Sequence, residues 1–145
     1  MTNIYAEVGA RDFSIQAHGD QMYGRMPYSY HLDQVAHKLR ELGHYGWDVP
    51  EDAYVVAYLH DVLEDTKTTY GQVFDKFGET VAKAVAKLSK NHCGGHIYIL
   101  EVKSNPLAKI VKIADTMCNL QASIASVEPK RVKKYSEQLA RLMEN

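Results

Sequence analysis

The sequence predicts an all-α fold, a bundle of about six to eight helices. Apolar residues recur at intervals of three and four along most of the chain, which is the spacing of one helix face. The chain has no convincing run of alternating β-branched residues bounded by hairpin turns such as Asn-Gly. Prolines and glycines stand near the expected ends of the periodic segments, where helices begin and stop.

Length and charge bound the organisation of the chain. With 145 residues, of which 46% are apolar, it can bury one core but is too short for two ordinary domains. We therefore expect a single domain over residues 1–145. Its 17 Lys and Arg are balanced by 18 Asp and Glu, so we expect no broad basic surface that would bind nucleic acid or an anionic membrane. Phosphate binding, if present, must be local, and the oligomeric state stays open.

The N-terminal sequence MTNIYAEVGARDF lacks the apolar stretch of a signal peptide. The longest apolar run elsewhere, Ala53–Leu59, is far shorter than a membrane span. Two cysteines, Cys93 and Cys118, are fewer than a disulfide-stabilised secreted domain usually carries, so we interpret both as free thiols. Together these features predict a cytoplasmic protein.

The second helix is defined by an i, i+3, i+4 stripe of apolar residues. Its members are Leu32, Val35, Ala36, Leu39 and Leu42. Gly43 is expected to end this helix in a left-handed conformation, and His31 lies in its first turn. A third helix is expected from about Pro50 to Glu64, because proline suits the first helical position and acids near it complement the helix dipole.

Further helix boundaries follow from capping patterns. Thr69 and Gln72 have the spacing of a capping box, and Gly78 is expected to end the short helix that they open. Another helix follows, with Val81, Val85 and Leu88 on one face. We interpret Asn91 to Gly95 as an exposed loop leading to a short helical piece from His96. His92, Cys93 and His96 lack a second Cys/His pair, so we assign them no metal.

The last two helices begin at prolines. Asn105 and Pro106 form a cap-plus-proline start for a helix that runs to about Ile124, and Pro129 opens the final helix. Basic residues cluster near the start of this last helix: Lys130, Arg131, Lys133 and Lys134. Such a cluster is most often a solvated face, and the alternative is that it attracts an anionic substrate.

The first chemically informative feature is His60-Asp61, inside the apolar stretch YVVAYLHDVLEDT. Burial of an unpaired carboxylate there would cost several kcal/mol, so something must compensate its charge. Glu64 and Asp65 follow Asp61 at i+3 and i+4, which places them on the same helix face. Three carboxylates on one face repel each other unless a cation lies among them.

A second acidic position, Asp115, lies within another apolar helix, with Asn119 four residues later on the same side. We interpret Asp115 as a second unpaired carboxylate. With His31, the candidate set comprises two imidazoles and two carboxylates from three helices. This mixed nitrogen and oxygen set suits Mn, Fe or Zn better than Mg or Ca, and four ligands leave positions for water and substrate.

Four sequence blocks resemble the ordered signatures of RelA/SpoT-type hydrolases, which are HD-domain phosphohydrolases. They are Pro27-Tyr28-Ser29-Tyr30-His31, His60-Asp61-Val62-Leu63-Glu64-Asp65-Thr66, Phe77-Gly78, and Lys112-Ile113-Ala114-Asp115 with Asn119. The resemblance spans roughly residues 17–119 and implies the helical bundle of an HD domain. The short chain is similar to the stand-alone small alarmone hydrolases.

The resemblance implies one manganese ion per chain, with Fe²⁺ or Zn²⁺ as alternatives. The implied ligands are His31, His60, Asp61 and Asp115. Glu64 and Asp65 are implied to hold or deprotonate the attacking water, and Asn119 to contact the ribose or phosphate. In family members this water removes the 3′-diphosphate of guanosine tetra- or pentaphosphate.

The chain departs from this family at positions where the family usually has basic residues. A basic pair usual upstream of the Pro-Tyr block is replaced by Met22 and Tyr23, which leaves Arg25 as the nearest cation and a candidate substrate contact. Gln121 stands where bacterial members often have arginine. Tyr135 is a second candidate for the pocket, with core packing as an equal alternative.

Three functions therefore stay open. The first is a small alarmone hydrolase, and the second is a hydrolase of another phosphorylated nucleotide, such as NADPH or a nucleoside monophosphate. The third belongs to a different class: a catalytically weak module that senses a nucleotide or neutralises a toxin by contact.

Overall fold

A computed structural model describes residues 4–90 and 94–145, and the regular structure in these ranges consists of helices and one short hairpin. The helices are α1 (Ile4–His18), α2 (Tyr28–His44), α3 (Asp52–Leu59), α4 (Val62–Asp65), α5 (Tyr70–Phe77), α6 (Glu79–Leu88), α7 (Gly95–Lys103), α8 (Pro106–Ala125) and α9 (Pro129–Met143). The strands are β1 (Met22–Tyr23) and β2 (Met26–Pro27). The predicted all-α class is confirmed; α4 is a single turn.

Several predicted helix ends are confirmed by their capping interactions. Thr69 accepts a hydrogen bond from the backbone of Gln72, whose side chain accepts one from the backbone of Thr69, so the capping box is complete. Gly78 adopts φ 90°, a conformation that favours glycine, between α5 and α6. Asn105 caps α8 by accepting from the backbone of Ala108.

The prediction of one continuous third helix from Pro50 to Glu64 is wrong. The helix begins at Asp52 and ends at Leu59, and a separate turn begins at Val62. Asp61 lies between them with φ −108° and ψ 1°, outside helical geometry. The apolar periodicity of the sequence continues through Asp61 and therefore does not indicate the break. The helix ends where the side chains of His60 and Asp61 make hydrogen bonds. The two polar residues therefore lie at a junction between helices.

Two expectations about glycines also differ from the structure. Gly43 lies inside α2, which continues to His44, and the left-handed glycine that follows is Gly46, at φ 93°. The periodicity of apolar residues indicates where the buried face of the helix ends. It does not determine the residue at which the backbone leaves the helix. The expected loop over Asn91 to Gly95 falls mainly on residues 91–93, outside the described ranges, and Gly95 is the first residue of α7. The interpretation of His92 and Cys93 lies outside them as well.

The hairpin between α1 and α2 was not predicted. Its strands are two residues long, too short to show alternation, and they pair antiparallel with Tyr23 opposite Met26. Gly24 adopts φ 59° in the intervening turn, and Arg25 is exposed beside it. This hairpin lies next to α2 in the chain and brings Tyr23 toward the buried face of that helix.

The core surrounds α8, which packs against α2, α3, α6, α7 and α9. Most of its middle residues are buried, from Ile110 to Cys118. Because α2 and α3 pack on α8, polar residues on their inner faces are brought together inside the bundle. None of the helices in the described ranges, α8 included, is long and apolar enough to cross a membrane.

Candidate functional site

Three buried residues from separate parts of the chain meet in the core. His31 lies on α2, His60 follows α3, and Asp115 lies on α8; each offers one ligand atom, and these atoms lie within 4.8 Å of one another. The residues are between 2% and 4% exposed. His31 Nε2 is 2.8 Å from Asp115 Oδ1. The fold thus brings together three of the four metal ligands suggested by the sequence.

His60 has the geometry of a metal ligand. Its Nδ1 is 2.6 Å from the carbonyl oxygen of Ala57, which can only accept, so Nδ1 carries a proton. In the neutral imidazole, Nε2 then presents a lone pair, and it lies 3.0 Å from Asp61 Oδ2 and 3.5 Å from Asp115 Oδ1. This buried Nε2 makes no hydrogen bond within the described residues. A cation between Nε2 and the carboxylates would satisfy all of these groups.

Asp115 is not the unpaired carboxylate that the sequence suggested. Lys112 Nζ lies 3.0 Å from its Oδ2, and Asn119 Nδ2 donates to its Oδ1 at 3.2 Å. These residues are three before and four after it on α8, so a helix places them on its side. Burial opposes ionisation of Asp115, but Lys112 and then His60 and His31 outweigh it and hold its pKa well below the usual value. Asp115 is therefore an ionised carboxylate in the core.

Asp61, the fourth suggested ligand, lies at the edge of the triad. The hydroxyl of Tyr28 donates to Asp61 Oδ2, the same oxygen that faces His60 Nε2. Burial opposes ionisation of Asp61, but His60 outweighs it and lowers the pKa of this carboxyl. Burial likewise opposes the charge on His60, while Asp61 and Asp115 raise the pKa of its imidazole. The site thus concentrates negative charge around a histidine nitrogen.

Glu64 and Asp65 are both exposed on α4, and each has its own donor. The backbone N–H of Lys90 donates to Glu64 Oε1 at 3.0 Å, and Gln21 Nε2 donates to Asp65 Oδ2 at 3.0 Å. Asp61, Glu64 and Asp65 therefore each have a separate hydrogen-bond donor. Neither donor could be identified from local spacing, because Lys90 and Gln21 are distant in sequence.

Asn119 lies between the triad and the hairpin. Its Nδ2 donates to Asp115, and its Oδ1 accepts from the hydroxyl of Tyr23 at 2.7 Å. Burial, and next the charge of Asp115, raise the pKa of Tyr23 to about 12, so its hydroxyl keeps the proton at neutral pH. The sequence drew attention to Tyr23 only as a substitution for a basic residue.

Arg25 and Tyr135, the two other candidate substrate contacts, lie on different elements. Arg25 is exposed in the hairpin turn, next to β1. Tyr135 is half-buried on α9, with the guanidinium of Arg131 at 5.7 Å and Lys134 Nζ at 5.1 Å from its ring centroid. Arg131 and Tyr135 both influence the pKa of Tyr23, which places this part of α9 on the hairpin side of the site.

Comparison with known proteins identifies the family. The sequence pattern of the HD domain matches residues 10–97, which include His31, His60 and Asp61. The chain belongs to the HD domain family. This match agrees with the RelA/SpoT-type resemblance of its four sequence blocks.

Two relatives are named as guanosine-3′,5′-bis(diphosphate) 3′-pyrophosphohydrolases. The HD chain is 34% identical over 136 residues to guanosine-3′,5′-bis(diphosphate) 3′-pyrophosphohydrolase from Aquifex aeolicus, covering 86% of this chain and 18% of that protein. It is 32% identical over 119 residues to guanosine-3′,5′-bis(diphosphate) 3′-pyrophosphohydrolase MESH1 from Danio rerio, covering 76% of this chain and 64% of that protein. The chain therefore spans less than two thirds of either relative.

A solved structure supports the fold of this HD domain. It belongs to a metazoan ortholog of SpoT described as hydrolysing ppGpp, and the superposition has a TM-score of 0.76 at 20% identity. The alignment covers 95% of this chain and 85% of the other. Together, the HD match and the buried His31, His60 and Asp115 cluster indicate a site for a divalent metal ion.

Proposed function

We propose that this HD domain is a manganese-dependent phosphohydrolase that removes the 3′-diphosphate from guanosine tetra- or pentaphosphate. The observation that carries the proposal is the buried His60 Nε2, which faces Asp61 and Asp115 without a hydrogen bond to any described residue. The names of the two relatives supply the substrate class. Manganese is proposed because nitrogen and oxygen ligands are mixed in the candidate set.

The proposed metal ligands are His31, His60, Asp61 and Asp115. A divalent ion held there supplies Lewis-acid activation of water and of the phosphoryl oxygen. Around it, Ala57 fixes the ring of His60 through Nδ1, and Lys112 holds the carboxylate of Asp115. These contacts orient the ligands before substrate arrives.

Glu64 and Asp65 are proposed to hold the attacking water and accept its proton. Both are exposed carboxylates on the turn that follows Asp61, so solvent reaches them. Water oxygen bonds to phosphorus, the bond from phosphorus to the ribose 3′ oxygen breaks, and that oxygen takes up a proton. The products are pyrophosphate and a nucleotide with a free 3′ hydroxyl.

Asn119, Arg25 and Tyr135 are proposed to contact the nucleotide. Asn119 is hydrogen-bonded to Asp115 and can therefore position a ribose or phosphate beside the triad. The basic start of α9 adds support for an anionic substrate. A cavity of about 500 Å³ between α7 and α9 is lined by Lys90, Lys130, Lys133, Lys134 and Arg141, with Glu137 as the acidic member of its lining.

A second candidate is hydrolysis of another phosphorylated nucleotide, such as NADPH or a nucleoside monophosphate. The observation that favours it concerns Tyr23, which stands where the resembled family has a cation. The hydroxyl of Tyr23 donates a hydrogen bond to Asn119. Either activity is proposed to operate in the cytoplasm, where the free thiol of Cys118 stays reduced.

Metal binding by the purified chain tests the proposal. We expect one manganese ion per chain, measured by elemental analysis, and a higher melting temperature when Mn²⁺ is added. At a hundredfold excess over Kd the free energy of unfolding should rise by about 2.7 kcal/mol, because the ion binds only the folded state. Asp61→Ala should abolish the gain. Absence of bound metal together with no thermal shift would contradict the proposed hydrolase.

A further inference from the structure

A chain of hydrogen bonds joins α1 to the acidic turn α4. His18, at the end of α1, is only 8% exposed, and its Nδ1 lies 2.7 Å from Gln21 Oε1. The other end of the same amide, Gln21 Nε2, donates to Asp65 Oδ2 at 3.0 Å. Asp65 is 44 residues further along the chain, so this contact exists only in the folded protein.

The direction of these hydrogen bonds follows from chemistry. A carboxylate oxygen such as Oδ2 of Asp65 accepts hydrogen bonds, so the Gln21 amide turns its NH₂ group toward it. Gln21 Oε1 then faces His18 and needs a donor, which makes Nδ1 of His18 the protonated nitrogen. His18 Nε2 is buried and has no hydrogen-bond partner within the described residues, as expected if Nδ1–H is the donor.

The backbone fixes Gln21 in this position. Its N–H donates to the carbonyl of His18 at 3.1 Å, and its carbonyl accepts from the N–H of Tyr28 at 3.0 Å. The ring of His18 packs on the ring of Tyr28 with centroids 4.5 Å apart. Tyr28 in turn donates to Asp61. Gln21, between α1 and α2, thus supplies a donor to Asp65, and Tyr28, the first residue of α2, supplies a donor to Asp61.

We infer that Gln21 and His18 are positioning residues for Asp65: Gln21 holds Oδ2, which leaves Oδ1 to face water, and His18 fixes the orientation of the Gln21 amide. This inference rests on the proposed function, in which Asp65 acts on the attacking water. Asp65 is an exposed side chain at the end of a single helical turn, so it needs such a contact to keep one geometry. Small displacements of a catalytic group reduce turnover strongly.

The test is a pair of substitutions made in two backgrounds. Gln21→Leu should lower kcat by about 10- to 100-fold with KM and manganese affinity unchanged, since only orientation is lost. In an Asp65→Ala background the same substitution should have no further effect on kcat, because its target is gone. Gln16→Leu, an exposed glutamine on α1, is the matched control and should behave like the wild type.

Two conservative variants separate positioning from packing. Gln21→Glu keeps the volume of the side chain but replaces the donor with a carboxylate, so its kcat should fall at least as far as that of Gln21→Leu. His18→Asn keeps a donor near the position of Nδ1 and should retain more turnover than His18→Leu. An equal loss for Gln21→Leu with and without Asp65, or a changed manganese affinity, would overturn the inference.

A spectroscopic measurement tests the hydrogen-bond chain without activity. Nitrogen-15 chemical shifts of the wild-type imidazoles should show His18 as the Nδ1–H tautomer, and Gln21→Leu should alter that signal. An Nε2–H tautomer in the wild type would overturn the inference. If the wild type hydrolysed no nucleotide while His18 showed the Nδ1–H tautomer, the proposed function would fail and the hydrogen-bond chain would stand.

Discussion

The ring of Tyr23 stacks on the ring of His31, with centroids 4.3 Å apart and 16° between their planes. The hydroxyl of the same tyrosine donates to Asn119, which donates to Asp115. Tyr23 therefore contacts His31, a proposed metal ligand, through its ring. Its hydroxyl contacts Asn119, which is proposed to bind the substrate. These two contacts can be removed separately.

Tyr23→Phe should raise KM about fivefold with little change in kcat. The ring stays on His31, whereas Asn119 loses a hydrogen bond worth about 1 kcal/mol that orients its amide. Tyr23→Leu removes the ring as well and should also weaken manganese binding. Steady-state kinetics and metal titration distinguish the variants, and equal manganese affinity in both would contradict a supporting role of the ring.

Lys112→Met should destabilise the metal-free protein by about 3–5 kcal/mol, because it leaves the buried Asp115 carboxylate without its cation. The Lys112 side chain is 11% exposed and that of Asp115 is 5% exposed, so water cannot replace the lost partner. Urea unfolding measures the loss. Added Mn²⁺ should stabilise this variant more than the wild type, since a cation at the site then compensates the same charge.

Lys83→Met is the control for that experiment. It breaks a pair with Glu79 on the surface, at 2.8 Å, in which both side chains are at least 60% exposed. The urea midpoint of this variant should barely change, because solvent screens exposed pairs. If both lysine variants lost equal stability, Lys112 would have no special role beside Asp115.

Glu64→Ala and Asp65→Ala should retain metal and fold while losing turnover by about 10²- to 10⁴-fold, the usual size of a general-base contribution. Both residues are exposed and hydrogen-bonded to Lys90 and Gln21, and neither belongs to the buried triad. Elemental analysis and single-turnover kinetics measure the two properties. Loss of the metal in either variant would mean that this residue is a ligand.

Much of the fold could be predicted from local patterns. The capping box at Thr69 and the proline starts at Pro106 and Pro129 are confirmed, because such signals act within a few residues. The break at Asp61 could not be predicted in this way. It accompanies contacts of His60 and Asp61, including one with Tyr28, which is 33 residues away in the chain.

The residues of the candidate site could likewise be predicted only in part. The chemical types of His31, His60 and Asp115 marked them as polar residues in apolar helices, and the fold brings them together. The residues that orient their neighbours carried no such mark. Gln21 precedes the hairpin, Tyr23 lies in β1 and Tyr28 begins α2, and only tertiary packing places their donors opposite Asp65, Asn119 and Asp61. Lys112 was identifiable in principle, as the i,i+3 partner of Asp115.

Product analysis with manganese-loaded protein tests the proposed substrate. Guanosine 3′,5′-bis(diphosphate), NADPH and a guanosine monophosphate are incubated separately, and products are resolved by ion-exchange chromatography. We predict pyrophosphate and guanosine diphosphate from the first nucleotide, formed faster than any product from the others and absent with Asp61→Ala. Release of orthophosphate from another nucleotide, with the guanosine bis(diphosphate) left intact, would contradict the proposed substrate.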